Sequence, residues 1–329
     1  MKLQKTFGIV AVLLILSVSV VASGISVANS ISAFAQTNET GQDNSNNTNA
    51  TNINQINQTL TKKLRVGDID VGYKMFGKGD PLFLIMGFKG KMDLWDQRFL
   101  QNLASQFRVV IFDNRGMGET TLGDTHKNSS IVQFANDTAG LMDALGFEKA
   151  SVLGWSMGGF IAQELVLNHP DKVDRLILYA TSCGGKEAVF PGPHVLKNIT
   201  DTTGSLKEQH DRFAYMLFPK EWIKQVPNYA DYFPMTNEST PASNVERQWN
   251  AIMNWGGACN RIQSITQPTL VIGGKSDSLT LPPNFVLLTE RIPGSWLIQI
   301  NGAGHGLMYQ YPDALSQSVL LFLSLMGEG

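Results

Sequence analysis

Charged residues and cysteines are both scarce in this chain. Lys, Arg, Asp and Glu make up 16% of its 329 residues, and the formal net charge is −2. With so small a net charge and no polybasic surface, nucleic acid is not an expected partner. Two cysteines and five histidines, with no metal-ligand spacing among them, exclude a zinc-ribbon type of site. We therefore expect no bound metal and a small molecule as the partner.

Long hydrophobic runs are also few, and the clearest one stands at the N-terminus. Two lysines precede the apolar stretch 7–22, and the small-residue triplet Ala33-Phe34-Ala35 follows it. This pattern is typical of a signal peptide over residues 1–35, which predicts a secreted or cell-surface protein. The apolar stretch has about 16 residues, whereas a membrane span needs roughly 20. An uncleaved anchor that tethers the protein through residues 7–22 is the alternative.

Residues 36–61 are rich in Asn, Thr and Gln and nearly lack large apolar side chains. Such a composition cannot bury a core, so the segment is predicted to be a disordered linker. The chain as a whole is 43% hydrophobic, which is enough for one sizeable core beyond residue 61.

The rest of the chain alternates between short apolar runs and helix-like segments. The predicted strands are Leu64–Val66, Ile69–Lys74, Pro81–Met86, Val109–Phe112, Ala150–Leu153, Leu176–Ala180, Thr269–Gly273 and Trp296–Ile300. The predicted helices are Leu94–Gln106, Ile131–Leu145, Gly159–Asn168, Asn284–Ile292 and Asp313–Leu325. This alternation predicts an α/β fold with a mostly parallel, doubly wound sheet, opened by a hairpin.

One long stretch without good strands interrupts the alternation. Residues 183–262 are too many for a structureless loop, and we expect a helical cap there, inserted into a core of residues 62–182 and 263–329. Helices are predicted at Leu206–Leu217, Glu221–Gln225 and Asn244–Trp255. The aromatic side chains of the insertion either line a substrate pocket or pack the cap onto the core, and packing is the simpler interpretation.

Cys183 and Cys259 stand at the two ends of this insertion. In an oxidising compartment they could form a disulfide at the base of the cap. Two free, buried cysteines are the alternative, because unpaired cysteine is commonly a core residue.

The sequence Gly154-Trp155-Ser156-Met157-Gly158 joins a predicted strand to a predicted helix. A serine between glycines at such a junction has the form of a nucleophile elbow, which exposes the serine hydroxyl in a tight turn. The N-terminus of the following helix points unpaired N–H groups at the same place. Ser156 is therefore the candidate nucleophile.

A serine hydroxyl needs a base, and the base needs a group to orient it. His305 lies in a glycine-rich loop directly after the last predicted strand, which makes it the candidate base. Asp277 follows the strand Thr269–Gly273 and is the candidate orienting acid, whereas no acid directly follows Leu176–Ala180.

In the order Ser156, Asp277, His305 and in its elbow, the chain resembles the α/β-hydrolase superfamily over nearly all of residues 64–326. It also has Asp113-Asn114-Arg115-Gly116-Met117-Gly118, similar to a D-x-R-G-x-G turn of these enzymes. The resemblance implies an oxyanion hole formed by the backbone N–H groups of Phe88 and Met157. At Met86 this chain departs from the family, which usually has histidine there.

The resemblance implies a serine hydrolase that cleaves a carboxylic ester of a small or medium substrate without a cofactor, and the N-terminal pattern predicts that it is exported. Amide, lactone or C–C bond hydrolysis and perhydrolysis are alternatives, since the same fold supports each of them. A non-catalytic binding protein is a further alternative from another class, but the complete set of three residues argues against it.

Overall fold

The computed structural model describes residue 56 and residues 59–124, 128–234 and 240–325. The predicted signal peptide and nearly all of the predicted linker lie outside these residues. None of the described helices is both long enough and apolar enough to cross a membrane.

The core is one eight-stranded sheet, and the predicted α/β class is confirmed. Its strand order is β1-β2-β4-β3-β5-β6-β7-β8, with β1 and β2 antiparallel to their neighbours and the remaining pairs parallel. Near-continuous apolar runs form the central strands because both of their faces are buried. The strands are β1 Lys62–Val66, β2 Ile69–Phe76, β3 Pro81–Ile85, β4 Arg108–Phe112, β5 Ala150–Trp155, β6 Val173–Tyr179, β7 Thr269–Gly274 and β8 Trp296–Ile300.

Helices cover both faces of the sheet. The sheet separates two clusters of buried apolar side chains, one on each face. Within the described residues the helices are α1 Gln97–Ala104, α2 Ile131–Ala144, α3 Met157–Asn168, α4 Pro193–Thr200, α5 Leu206–Leu217, α6 Lys220–Gln225, α7 Ala242–Met253, α8 Pro283–Arg291, α9 Leu307–Gln310 and α10 Pro312–Leu325. Short 3-10 turns lie at Met92–Leu94, Pro170–Lys172, Gly185–Glu187, Tyr229–Tyr232 and Ile262–Ser264.

Local capping explains where several helices begin. The predicted helix Leu94–Gln106 is wrong at its start, because Asp96 accepts a hydrogen bond from the Phe99 amide at 2.8 Å and α1 begins at Gln97. Helix α5 begins as predicted, since Ser205 and Glu208 form a reciprocal capping box.

The insertion between β6 and β7 is helical, and it contains one helix that the sequence patterns missed. Helix α4 has a proline at its start and only eight residues, so it is too short for a helical period to stand out in the sequence. The aromatic side chains of the insertion do both of the things expected of them: Phe213 and Phe233 line a cavity, and two tryptophans pack onto the core. Trp249 contacts Phe88 at 5.6 Å between ring centroids, and Trp255 contacts Phe160 at 4.6 Å.

Cys183 and Cys259 form a disulfide, which settles the two alternatives left by the sequence. Both cysteines are buried, and the Ala258 amide donates a hydrogen bond to the Cys183 carbonyl at 2.7 Å. The bond therefore joins the chain where it leaves the core to the chain where it returns.

Replacing both cysteines by serine is expected to destabilise the protein by roughly 4.5 kcal/mol, because the bond closes a loop between residues 76 positions apart. For a domain of this size the loss corresponds to a fall in Tm of about 10 °C. Thermal unfolding of the double variant measures it. Wild type with and without a reductant is the control. The prediction would be contradicted if neither the double substitution nor the reductant changed the Tm.

Candidate active site

The elbow at Ser156 has the strained backbone that its sequence predicts. Ser156 lies between β5 and α3 with φ 57° and ψ −118°, a conformation that costs a non-glycine residue about 1–3 kcal/mol. A Cβ at Gly154 would lie 2.2 Å from the Gly158 carbonyl oxygen, and one at Gly158 would lie 2.0 Å from that of Ile85. Only glycine fits at both positions, so the turn can press against strand β3.

Asp277 and His305 are brought together at the carboxyl ends of β7 and β8. His305 Nδ1 lies 2.8 Å from Asp277 Oδ2, and both side chains are almost fully buried. The other carboxylate oxygen accepts hydrogen bonds from the amides of Leu279 and Thr280, each at 2.8 Å. A carboxylate held in this way selects the histidine tautomer with its proton on Nδ1, which leaves Nε2 able to accept a proton.

Sequence reasoning missed the residues that hold the His305 loop. Trp155 Nε1 and the Tyr179 hydroxyl both donate hydrogen bonds to the His305 carbonyl at 3.2 Å, and the rings of Trp155 and His305 are 5.6 Å apart. The Gly306 amide donates to the Leu217 carbonyl at 2.9 Å, which ties the loop to the end of α5. In the sequence, the position of Trp155 directly before the candidate nucleophile is the one feature that indicates a role for it near the site.

Ser156 is only partly buried, whereas Trp155 and Met157 on either side of it are buried. Among the described residues, no hydrogen bond joins the Ser156 hydroxyl to His305. In enzymes without bound substrate this contact is often long and shortens when substrate binds.

Two backbone amides without an acceptor among the described residues lie near Ser156. A Cβ at Gly87 would lie 3.2 Å from the Ser156 Cβ, so the loop that carries Phe88 passes directly beside the serine. The Phe88 amide has no acceptor among the described residues, and Met157 begins helix α3, where N–H groups lack intrahelical partners.

The loop keeps its shape although Met86 replaces the usual histidine of the family. Asn114 Nδ2 donates to the Met86 carbonyl at 3.0 Å, and the Gly90 amide donates to the Gly87 carbonyl at 3.1 Å. The Lys89 amide donates to Gln248 Oε1 of α7 at 3.0 Å. Backbone and side-chain amide groups thus hold this loop in a chain that has methionine at position 86.

The D-x-R-G-x-G turn forms hydrogen bonds and ion pairs with the segments around this loop. Asp113 accepts hydrogen bonds from the amides of Met92 at 2.7 Å and Glu119 at 2.8 Å, and burial raises its pKa to about 6. Arg115, whose side chain is buried, forms ion pairs with the buried Asp137 and with the exposed Asp68. Burial alone would lower the pKa of Arg115, but these two carboxylates outweigh it and raise the pKa.

A cavity of about 330 Å³ adjoins the site on the side of the insertion. It begins at Phe88 and Trp155 and extends to residues of α5 and to Phe233, while Ser156 and His305 are not among its described lining residues. Its size is that of a pocket for a small or medium organic molecule.

Fold and site together define a hydrolase of the α/β class. A model of the family described as alpha/beta hydrolase fold matches residues 80–312. The chain therefore belongs to the alpha/beta hydrolase fold family.

Several relatives carry names for particular reactions. A protein of Caulobacter sp. strain K31 named "Putative carbamate hydrolase RutD" is 31% identical over 252 residues, which are 74% of this chain and 90% of that protein. The pimeloyl-[acyl-carrier protein] methyl ester esterase of Aeromonas hydrophila is 25% identical, over 78% of this chain and all of that protein. The enol-lactonase of Burkholderia xenovorans LB400 has a similar fold, with a TM-score of 0.69 at 23% identity over 80% of this chain and all of that one.

Proposed function

We propose that this protein is a serine hydrolase that cleaves carboxylic esters of small or medium size, with Ser156, His305 and Asp277 as its catalytic residues. The observation that carries the proposal is the buried Asp277–His305 pair beside a strained serine turn. The free amides of Phe88 and Met157 support it, because acyl transfer needs donors for the developing oxyanion.

The proposed reaction has two halves. His305 Nε2 takes the Ser156 proton as the serine oxygen attacks the ester carbonyl, and the amides of Phe88 and Met157 bind the resulting oxyanion. His305 then gives that proton to the departing alcohol, which leaves an acyl-enzyme. A water molecule, deprotonated by His305, attacks the acyl group; the acid is released and the proton returns to Ser156.

The ester bond is proposed on two grounds. The cavity is partly apolar, with Phe88, Trp155, Phe213 and Phe233 in its lining, as an acyl chain requires. A relative matched over its full length is named as a methyl ester esterase. Carbamate cleavage is the second candidate, favoured by the name of the 31% identical relative.

Labelling with a fluorophosphonate probe tests the proposal. We expect one adduct, located by mass spectrometry on the peptide that contains Ser156, and turnover of 4-nitrophenyl esters of graded chain length. Parallel assays with aryl carbamates and lactones discriminate the second candidate. A folded protein that is not labelled would overturn the proposal and leave the binding-protein alternative.

We also propose that the protein is exported, since a disulfide persists mainly in oxidising compartments and a signal-like segment precedes the fold. The native protein is expected to begin at Gln36. Mass spectrometry of N-terminal peptides checks this. A native peptide that contains residues 7–22 would contradict cleavage and support the anchored alternative.

A further inference from the structure

Two positively charged side chains, Lys89 and Arg212, line the cavity beside the site, and among its described lining residues Asp201 is the only carboxylate. His210 is also present, with Nε2 2.8 Å from the Phe233 carbonyl oxygen. Nothing in the hydrolysis of a neutral ester uses this charge.

Arg212 forms an ion pair with Asp201, the one carboxylate in the described lining. Its guanidinium lies 3.6 Å from Asp201 and also donates to the Thr203 carbonyl at 2.8 Å. The Asp201 carboxylate further accepts hydrogen bonds from the Thr203 amide and hydroxyl, at 2.8 and 2.7 Å. Asp201 is thus already paired with Arg212 and Thr203.

Lys89 forms no ion pair with any residue that the structure describes. Within the described ranges, no carboxylate lies within salt-bridge distance of its ammonium group, which is 5.8 Å from the Phe88 ring centroid. Its side chain is half-buried. Burial, together with the Arg212 cation, lowers the pKa of Lys89 to about 8, while Asp201 opposes the shift. A bound anion would stabilise the charged form of the Lys89 side chain.

The backbone of Lys89 has an uncommon conformation, and a hydrogen bond to the insertion holds it. Its φ is 62°, an uncommon conformation for lysine, and its amide is bound to Gln248 of α7. Because Lys89 directly follows Phe88, this arrangement places a cation one residue from the amide proposed for the oxyanion. Strain of this kind is found where a site requires one geometry.

We propose that Lys89, assisted by Arg212, binds an ionised carboxylate of the substrate, so that the preferred substrates are esters with a second, free carboxyl group. This inference rests on the proposed function and narrows its substrate class. The carboxylate can belong to the acyl part or to the alcohol part of the ester, and the assay has one arm for each.

The test compares anionic and neutral esters of matched shape. The acyl arm uses mono(4-nitrophenyl) adipate and methyl 4-nitrophenyl adipate; the alcohol arm uses 4-acetoxybenzoate and its methyl ester. In at least one arm we expect the anionic ester to have a kcat/KM about tenfold higher. Lys89→Gln should remove this ratio and Lys89→Arg should retain it. Lys78→Gln, an exposed lysine in the β2–β3 turn, is the matched control and should leave the ratio unchanged.

The pH dependence of the same ratio assigns the effect to Lys89. The ammonium is charged below its pKa of about 8 and neutral above it, so the anionic preference should fall as the pH rises from 7 to 9. His305 acts on both esters and cancels in the ratio. Other charged or titratable groups also face the cavity: Arg212, Asp201, Lys91 and His210. Their contribution is distinguished from that of Lys89 by the variant Lys89→Gln, in which the ratio of the two rates should show no step near pH 8.

Each outcome bears on one claim. Equal rates for the anionic and neutral esters, or a ratio unchanged by Lys89→Gln, would overturn the inference and leave the proposed function standing. If no ester is cleaved, the proposed function fails. Calorimetric binding of monomethyl adipate to Ser156→Ala then still tests the carboxylate site: binding weakened about tenfold by Lys89→Gln supports it, and binding unaffected by that change overturns it.

Discussion

Ser156→Ala is expected to lower kcat for ester hydrolysis by about 10⁶-fold, the size of loss seen when a serine nucleophile is removed. The hydroxyl is the only group at the elbow that can form the acyl-enzyme, and neither His305 nor the oxyanion amides can replace it. Steady-state rates with a 4-nitrophenyl ester measure the loss, and fluorophosphonate labelling should disappear with it.

A matched serine substitution controls for this result. Ser318 is partly buried on α10, away from the site, and its hydroxyl donates to the Ala314 carbonyl within the same helix, so Ser318→Ala should retain full activity and labelling. Since alanine at position 156 removes no buried contact of the hydroxyl, Tm should stay near that of wild type. Substantial activity in a folded Ser156→Ala protein would show that another residue is the nucleophile.

Asp277→Asn is expected to lower kcat by about 10⁴-fold while the protein stays folded. The amide oxygen of asparagine can still accept the hydrogen bonds from Leu279 and Thr280. Its NH₂ group would then face His305 Nδ1 where Asp277 Oδ2 now lies. A donor there favours the tautomer with the proton on Nε2, which cannot take the proton from Ser156.

Rates and stability must be measured together for this variant. Circular dichroism and Tm report on folding, and the kcat of Asp143→Asn, at an exposed aspartate that pairs with Lys172, provides the matched control. A fall in kcat of less than tenfold for Asp277→Asn would mean that this carboxylate does not orient the base. A loss in both variants would point to a general effect of charge.

The strands and the elbow were predictable because their signals are local. Near-continuous apolar runs mark β3 and β5, and the glycines around Ser156 mark a turn in which a Cβ would meet backbone atoms. Where local signals were weak, the predictions were wrong or absent. Helix α4 has only eight residues, too few for a helical period to stand out, and the start of α1 depended on a cap at Asp96.

By itself, the sequence determined the order of strands and helices along the chain and the three candidate catalytic residues, since each is marked by its immediate neighbours. Only the tertiary structure decided what the insertion contributes. The Cys183–Cys259 bond joins positions 76 apart, and the hydrogen bond from Lys89 to Gln248 joins positions 159 apart. Such contacts depend on how the insertion packs on the core, where burial and charge act between residues that no local pattern connects.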